Sequence, residues 1–267
     1  MDRRVVVTTA VVVVVLLAGC SVLLGDDGST PTPSPAGTAT PTETPTPVPP
    51  EEREYPDGYG PNGVEDPETA AETHVDTLSG YGTYRFRFDV RVSDGSGADD
   101  AFVYLASVDG RNETALEIRD DGTVTRHQYY EDERVYVRVV SGDEETYNTT
   151  DQPFEPGLLA GSQFLDPVLE HVEYGEAEPV STGNGTVYRY NSERVTDPTA
   201  ILPADSSEGE VESFEVELLV HEDGYVRGAK YAVVTEDGSG LEAVAVVDSI
   251  DEETVTRPDW YDEAAEE

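Results

Sequence analysis

The chain has 267 residues, of which 57 are Asp or Glu and 16 are Lys or Arg, so its formal net charge is −41. This charge excludes a nucleic-acid partner, because phosphate backbones are held by Lys and Arg. Apolar residues make up 37% of the chain, which is too many for a fully disordered protein. The chain has one long apolar run, which is too few for a polytopic membrane protein.

The N-terminus predicts an exported and anchored protein. A short positively charged region precedes an apolar stretch at 5–17, and two small residues precede Cys20. This order is typical of a secretory signal peptide, and Leu-Ala-Gly-Cys matches the lipobox of lipoproteins. The match implies that 1–19 is a lipoprotein signal peptide and that the Cys20 thiol carries a lipid. An uncleaved transmembrane anchor is the alternative, because apolar residues continue to Leu24.

Either anchor places the rest of the chain on the extracellular face of the cell membrane. Cys20 is the only cysteine, so disulfides and Cys-rich metal sites are excluded.

Residues 20–65 predict a lipidated, disordered, Thr/Pro-rich stalk. Ten of the 18 prolines lie between residues 26 and 61, and such segments favour extended polyproline II over a packed core. Thr-Pro repeats are also typical of O-glycosylated stalks, with an unmodified spacer as the alternative. Three sequons near predicted turns, at Asn112, Asn148 and Asn184, are candidate N-glycosylation sites.

The acidic residues are spread along the whole chain, and lysine occurs once, at Lys230, against 15 arginines. This composition resembles that of extreme halophiles. Molar salt shortens the Debye length to about 3 Å and screens neighbouring carboxylates from one another. We therefore expect stability to depend on salt, with the carboxylates serving solvation.

The folded domain is predicted over 66–262, followed by an acidic tail at 263–267. Asp66 is a suitable N-cap and Pro67 suits the first helical position, and apolar residues then recur at helical spacing until Gly80. Residues 84–92 alternate with period two, which predicts a strand with one buried face.

Similar runs predict further strands at 101–108, 114–119, 123–130, 134–140, 186–191, 213–221, 225–235 and 241–250. Asp-Gly pairs lie between or beside many of them and favour tight hairpin turns, so neighbouring strands should pair antiparallel. Apolar residues between Phe154 and Val172 predict one or two short helices, with Asp166 and Pro167 as cap and first-turn pair. A large antiparallel sheet with helices on one face is an α+β architecture.

The order of these features carries a family resemblance. The chain resembles haloarchaeal surface lipoproteins in the order of five features. These are the lipobox, the stalk, the opening helix followed by Tyr84-Arg85-Phe86, the helical insertion from Gly157 to Leu169, and the closing Pro-Asp-Trp at 258–260. The folded part of those proteins is similar to the LolA and LppX/LprG lipoproteins. The resemblance implies a half-open barrel, in which a curved antiparallel sheet has helices on its concave face.

In bacterial members of that family the gap between sheet and helices accepts lipid acyl chains. The resemblance therefore implies an extracytoplasmic lipoprotein that binds or carries a lipid or another hydrophobic ligand. The implied lining is aromatic and aliphatic, namely Phe86, Phe88, Phe102, Tyr104, Leu158, Phe164, Leu165, Leu169 and Phe214. The same residues would also form an ordinary filled core, which would favour a structural or interaction domain of the cell envelope.

No motif for chemistry stands out. The four histidines lack metal-site spacing, no serine lies in a nucleophile elbow, and no glycine-rich phosphate loop opens a helix. We therefore expect no enzyme activity, no cofactor and no metal. A surface hydrolase that uses unidentified acidic residues is a third alternative.

Overall fold

The computed structural model describes residues 49–93, 99–201, 211–236 and 238–267. The predicted signal peptide, Cys20 and most of the predicted stalk lie outside the described residues. Within the described ranges, no helix is long and apolar enough to cross a membrane.

Fourteen strands are present in the described residues, and all their pairings are antiparallel. A short hairpin comes first, from β1 (Tyr59–Gly60) and β2 (Gly63–Val64). A first meander follows, from β3 (Thr83–Ser93), β4 (Asp99–Asp109), β5 (Thr114–Asp120), β6 (Val124–Glu131), β7 (Arg134–Ser141) and β8 (Glu144–Asp151). The second series comprises β9 (Val172–Tyr174), β10 (Glu178–Thr182), β11 (Gly185–Val195), β12 (Val211–His221), β13 (Val226–Thr235) and β14 (Gly240–Ile250).

The last twelve strands form one sheet in the order β10-β11-β12-β13-β14-β3-β4-β5-β6-β7-β8, and β9 pairs with β11. The two series join where β14 pairs with β3, for example Ala245 opposite Phe88. The path does not close, since β10 and β8 are its two ends. The predicted α+β class with a large antiparallel sheet is confirmed.

The opening helix α1 (Pro67–Gly80) is confirmed together with its cap. The Asp66 carboxylate accepts a hydrogen bond from the Thr69 amide at 3.1 Å, which satisfies one of the free N–H groups of the first turn. Ala70, His74 and Leu78 form the buried face of the helix.

The second helix begins earlier than predicted. A 3₁₀ turn at Pro156–Leu159 precedes α2 (Ser162–Glu170), and Pro167 lies inside α2 rather than in its first turn. A proline in a helix removes one backbone donor. The loss occurs near the C-terminal end of a nine-residue helix, where the His171 amide still donates to the Pro167 carbonyl.

The sheet has an inner face, which carries Tyr84, Phe86 and Phe88 and on which α1 and α2 pack. Three inner-face tyrosines hold the covering segments by donating to backbone carbonyls: Tyr84 to Pro156 at 2.5 Å, Tyr188 to Glu54 at 2.9 Å and Tyr190 to Gly60 at 3.1 Å. These bonds give partners to the hydroxyls of three buried tyrosines.

The opposite, outer face is covered by the C-terminal segment. From β14 the chain crosses to β6–β8, where Trp260 and the short helix α3 (Tyr261–Ala265) pack against Tyr129 and Tyr136. Trp260 and Ala264 are buried. The sheet is thus covered on both faces over part of its width.

Candidate functional site

Five aromatic rings meet on the inner face, and we call them the Phe164 cluster: Phe86, Phe88, Phe102, Tyr104 and Phe164. Phe164 is the only one that comes from a helix, and its ring stacks on Phe88 at 4.3 Å between centroids. Its centroid also lies 4.9 Å from that of Tyr104, 6.1 Å from that of Phe102 and 6.3 Å from that of Phe86. All five were predicted as ligand-lining residues, and the structure brings them together.

The strand register places four of these rings side by side. Phe88 lies opposite Tyr104 and Val90 lies opposite Phe102 in the β3–β4 pair. A glycine allows the helix to approach: Gly161, just before α2, has φ +82°, and a Cβ there would lie 2.2 Å from the Phe86 ring. A side chain at Gly161 would therefore clash with the Phe86 ring and would have to adopt a backbone conformation that favours glycine.

The other predicted lining residues lie elsewhere. Leu165 and Leu169 are fully buried in the core beneath α2, whereas Leu158 is 62% exposed. Phe214 is partly buried on β12, three strands from β3.

A polar network, which the sequence analysis missed, lies on the inner face of β5 and β6. The Glu117 side chain is buried and forms an ion pair with Arg119. Its other oxygen accepts hydrogen bonds from the Tyr130 hydroxyl at 3.0 Å and the Gln128 amide at 3.4 Å. Arg126 donates through Nε to the Gln128 side-chain oxygen. The burial of Glu117 is compatible with folding because three partners satisfy its carboxylate.

Tyr104 connects the network to the Phe164 cluster. The Arg119 guanidinium lies 5.5 Å from the centre of the Tyr104 ring, which is a cation–π arrangement. The Tyr104 hydroxyl is buried and has no hydrogen-bond partner among the described residues. Burial, and then the nearby Glu117 carboxylate, raise the pKa of Tyr104, so the hydroxyl keeps its proton and can donate it to a hydrogen bond.

His74 lies at the centre of the covering layer and is fully buried. Its Nε2 donates to the Ala160 carbonyl at 2.9 Å, and its Nδ1 accepts from the Val226 amide at 3.0 Å. The ring is therefore neutral, and burial lowers its pKa from 6.5 to about 4. His74 connects α1 to the segment before α2 and to β13, which is a structural role.

Four surface cavities are described, and none is lined by a member of the Phe164 cluster. One of about 480 Å³ surrounds Lys230. Another, of about 560 Å³, lies between α1 and α2 and is strongly acidic. There, burial and the neighbouring Glu170 raise the pKa of Asp166. Among the residues the structure describes, no three His, Cys, Asp or Glu side chains are grouped to hold a metal ion.

The three sequons differ in surroundings. The Asn112 amide, in the β4–β5 turn, donates to the Asp109 carboxylate at 2.7 Å. Asn148 is exposed on the edge strand β8, and Asn184 is exposed in the turn between β10 and β11. All three asparagines are exposed, and the Asn148 amide donates to the Thr150 hydroxyl at 3.3 Å.

The fold and this site define a protein with an open antiparallel sheet whose covered inner face holds an aromatic cluster beside a buried polar network. Residues 5–264 match a family of unknown function, DUF7537, and the chain belongs to that family. No curated protein matches the chain.

The chain is also similar to solved structures, all at low identity. They include a LolA superfamily protein from Nitrosomonas europaea, at 10% identity, 73% coverage of this chain, 96% of that chain and a TM-score of 0.28. A DUF1329 family protein from Desulfovibrio piger matches at 10% identity, with 73% and 95% coverage and a TM-score of 0.27. The MucA/MucB complex of Pseudomonas aeruginosa matches at 11% identity, with 71% and 59% coverage and a TM-score of 0.26. The fold is defined by the antiparallel strand pairing of this chain.

Proposed function

We propose that this protein is anchored outside the cytoplasm and binds the hydrocarbon part of an amphiphile at the Phe164 cluster. The observation that carries the proposal is that four aromatic rings of β3 and β4 meet on the inner face beneath the ring of one helical residue, Phe164. Phe102 and Phe164 are only partly buried, so the cluster reaches the protein surface. Aromatic surfaces of this kind supply large apolar contact area.

Phe164 occupies the space that a ligand chain would take. Its ring fills the gap between α2 and the strands, so a hydrocarbon chain has to displace it. Substituting Phe164 by Ala would leave an apolar cavity, and apolar cavities of this kind take up apolar ligands. We expect the Phe164→Ala variant to bind a fatty-acyl probe at least about tenfold more tightly than the parent, because the variant has no ring that the probe must displace.

The test measures binding of a fluorescent fatty-acyl probe to the parent, to Phe164→Ala and to Leu158→Ala. Leu158 is the matched control, since it is apolar, lies near α2 in sequence and is already exposed. Circular dichroism checks that each variant is folded. Equal probe binding by all three proteins would contradict the proposal. Organic extraction and mass spectrometry of the purified parent would reveal any ligand that it already carries.

A second candidate function is an interaction domain of the cell envelope with no small ligand. The observation in its favour is that Phe164 already fills the space beside Phe88, with their centroids 4.3 Å apart. A packed interior has little void volume. Failure of both the parent and Phe164→Ala to bind any amphiphile would favour this second candidate.

The anchor is supported by the N-terminal sequence. The lipobox and the preceding basic and apolar segments suit lipid attachment at Cys20. We expect Cys20→Ser to release the protein from membranes into the soluble fraction. Its retention would favour the uncleaved N-terminal anchor. The proposal treats the protein as a binding protein, so hydrolytic activity of the purified chain would contradict it.

A further inference from the structure

Two arginines face each other on the inner face of the sheet. Arg119 on β5 lies directly opposite Arg126 on β6, and both side chains lie on the same face as Glu117 and Tyr130. Like charges directly opposite each other across two strands are destabilising. This placement needs an explanation in a chain with 57 acidic and 16 basic residues.

The surroundings neutralise only part of this charge. Arg119 pairs with Glu117, whereas Arg126 has no carboxylate within ion-pair distance among the described residues. Most other arginines with described side chains do have such a partner, as Arg134 has Asp151. The pair with its buried carboxylate therefore keeps a net charge of +1.

The polar network orients both guanidinium groups. Each arginine uses its Nε atom, Arg119 toward Glu117 and Arg126 toward the Gln128 oxygen. The terminal nitrogens of both guanidinium groups have no protein partner in the described part of the chain. Planar N–H forks held in this way bind phosphate or carboxylate oxygens by paired hydrogen bonds.

Apolar groups lie in the same row of the sheet. Phe88, Tyr104, Arg119, Arg126 and Val139 are successive cross-strand partners from β3 to β7. Phe164 packs on the first two of them. The guanidinium pair is thus adjacent to the Phe164 cluster, and the buried Tyr104 hydroxyl has no hydrogen-bond partner in the part of the chain that the structure describes.

We infer that Arg119 and Arg126 together bind the anionic head group of an acidic lipid whose hydrocarbon chain lies against the Phe164 cluster. This inference rests on the proposed function and adds the charge of the ligand to it. An oxyanion between the two guanidinium groups would replace their mutual repulsion with charge-assisted hydrogen bonds. A neutral head group would leave the repulsion in place. A zwitterionic head group such as phosphocholine has the same phosphate oxyanion, but its quaternary ammonium would add a third positive charge beside the two guanidinium groups.

The test compares two soluble lipids that differ only in head group, dihexanoyl phosphatidylglycerol and dihexanoyl phosphatidylcholine. Calorimetric titration of the purified full chain should show at least about tenfold tighter binding of the phosphatidylglycerol. The Arg119→Gln/Arg126→Gln double variant should lose this preference. The matched control is Arg134→Gln/Arg138→Gln, which removes the same charge from the outer face of the neighbouring strand β7 and should keep the preference.

A second readout separates ligand binding from a structural role. Without lipid, Arg126→Gln should raise the thermal midpoint, because it removes the like-charge repulsion, and circular dichroism should show an unchanged fold. A residue that only supports the fold would lower the midpoint instead. That result would overturn the inference.

The outcomes also distinguish this inference from the proposed function. Equal binding of both lipids by the parent, or a preference that survives in Arg119→Gln/Arg126→Gln, would overturn the inference and leave the proposed function standing. Inorganic phosphate that binds as tightly as phosphatidylglycerol would mean a site for a free anion, which also overturns it. Binding of neither lipid by the parent or by Phe164→Ala would overturn both.

Discussion

His74 should make the protein sensitive to acid. Its imidazole is fully buried and neutral, with Nε2 donating to Ala160 and Nδ1 accepting from Val226. Burial lowers its pKa from 6.5 to about 4, although the hydrogen bond to Ala160 acts in the opposite direction. Protonation would place a charge in the core and would remove the acceptor for the Val226 amide.

The magnitude follows from the two pKa values. As pH falls below 6.5, His74 gains a proton in the unfolded chain but remains neutral in the folded protein until pH is about 4. The unfolded state therefore binds more protons, and stability decreases as pH falls through this window. Each tenfold step in proton affinity corresponds to about 1.4 kcal/mol, so His74 alone should remove about 3 kcal/mol between pH 7 and pH 4.

The assay is urea unfolding at constant molar KCl, at several pH values from 7 to 4, for the parent and for His74→Gln. Comparison with the variant is essential because many carboxylates also titrate near pH 4, and their contribution is common to both proteins. At pH 7 the variant should be the less stable, since glutamine cannot make both hydrogen bonds. Its deficit should shrink by about 3 kcal/mol at pH 4.

Two results would refute this reasoning. One is a stability difference between parent and variant that stays constant from pH 7 to pH 4. The other is a His74 imidazole resonance that titrates near 6.5 in the folded protein, as measured by NMR.

The hydroxyl of Tyr84 donates to Pro156 whereas that of Tyr104 has no described partner, so Tyr84→Phe should cost about 1 kcal/mol in chemical denaturation. Tyr104→Phe is its matched control and should leave the free energy of unfolding of the ligand-free protein unchanged. Equal losses of stability in the two variants would contradict the stabilising role of the Tyr84 hydrogen bond. Trp260→Ala should destabilise the fold by about 3 kcal/mol through lost packing on the outer face. Trp260→Phe should recover part of that loss in the same assay, and no effect of either change would mean that α3 is dispensable. Dilution from molar to millimolar salt should expand or unfold the domain, because 57 acidic side chains then repel each other over a longer range. An unchanged circular dichroism spectrum would contradict that expectation.

Strands with one apolar face were predictable from the sequence. The alternation in β3 is clear because the helices cover only one side of it, and the N-terminus of α1 was readable from Asp66 and Pro67. The edge strands β8 and β10 were not predicted. Both are largely exposed, so neither needs an apolar face, and β8 reads Glu-Glu-Thr-Tyr-Asn-Thr-Thr-Asp.

The candidate site was only half predictable. The aromatic residues of the Phe164 cluster could be predicted because they occupy apolar positions on predicted strands and on a predicted helix. In β5, alternation alone would turn Leu116 and Ile118 toward the core, whereas the structure buries Ala115 and Glu117 on the inner face. Leu116 instead packs on the outer face beside Trp260. A carboxylate in a strand suggests solvent exposure. The contacts that explain why Glu117 is inside come from Tyr130 and Gln128 on the neighbouring strand β6, which periodicity within β5 does not show.

The seam between β3 and β14 has a consequence for how the chain folds. Partners such as Phe88 and Ala245 are far apart in sequence, which gives the native topology a high contact order and slows folding. Hairpins of the first meander can form early from local turns. One edge of β3 has no strand to pair with until β14 has been synthesised. A chain truncated before Gly240 would therefore expose an unpaired strand edge through which molecules can aggregate.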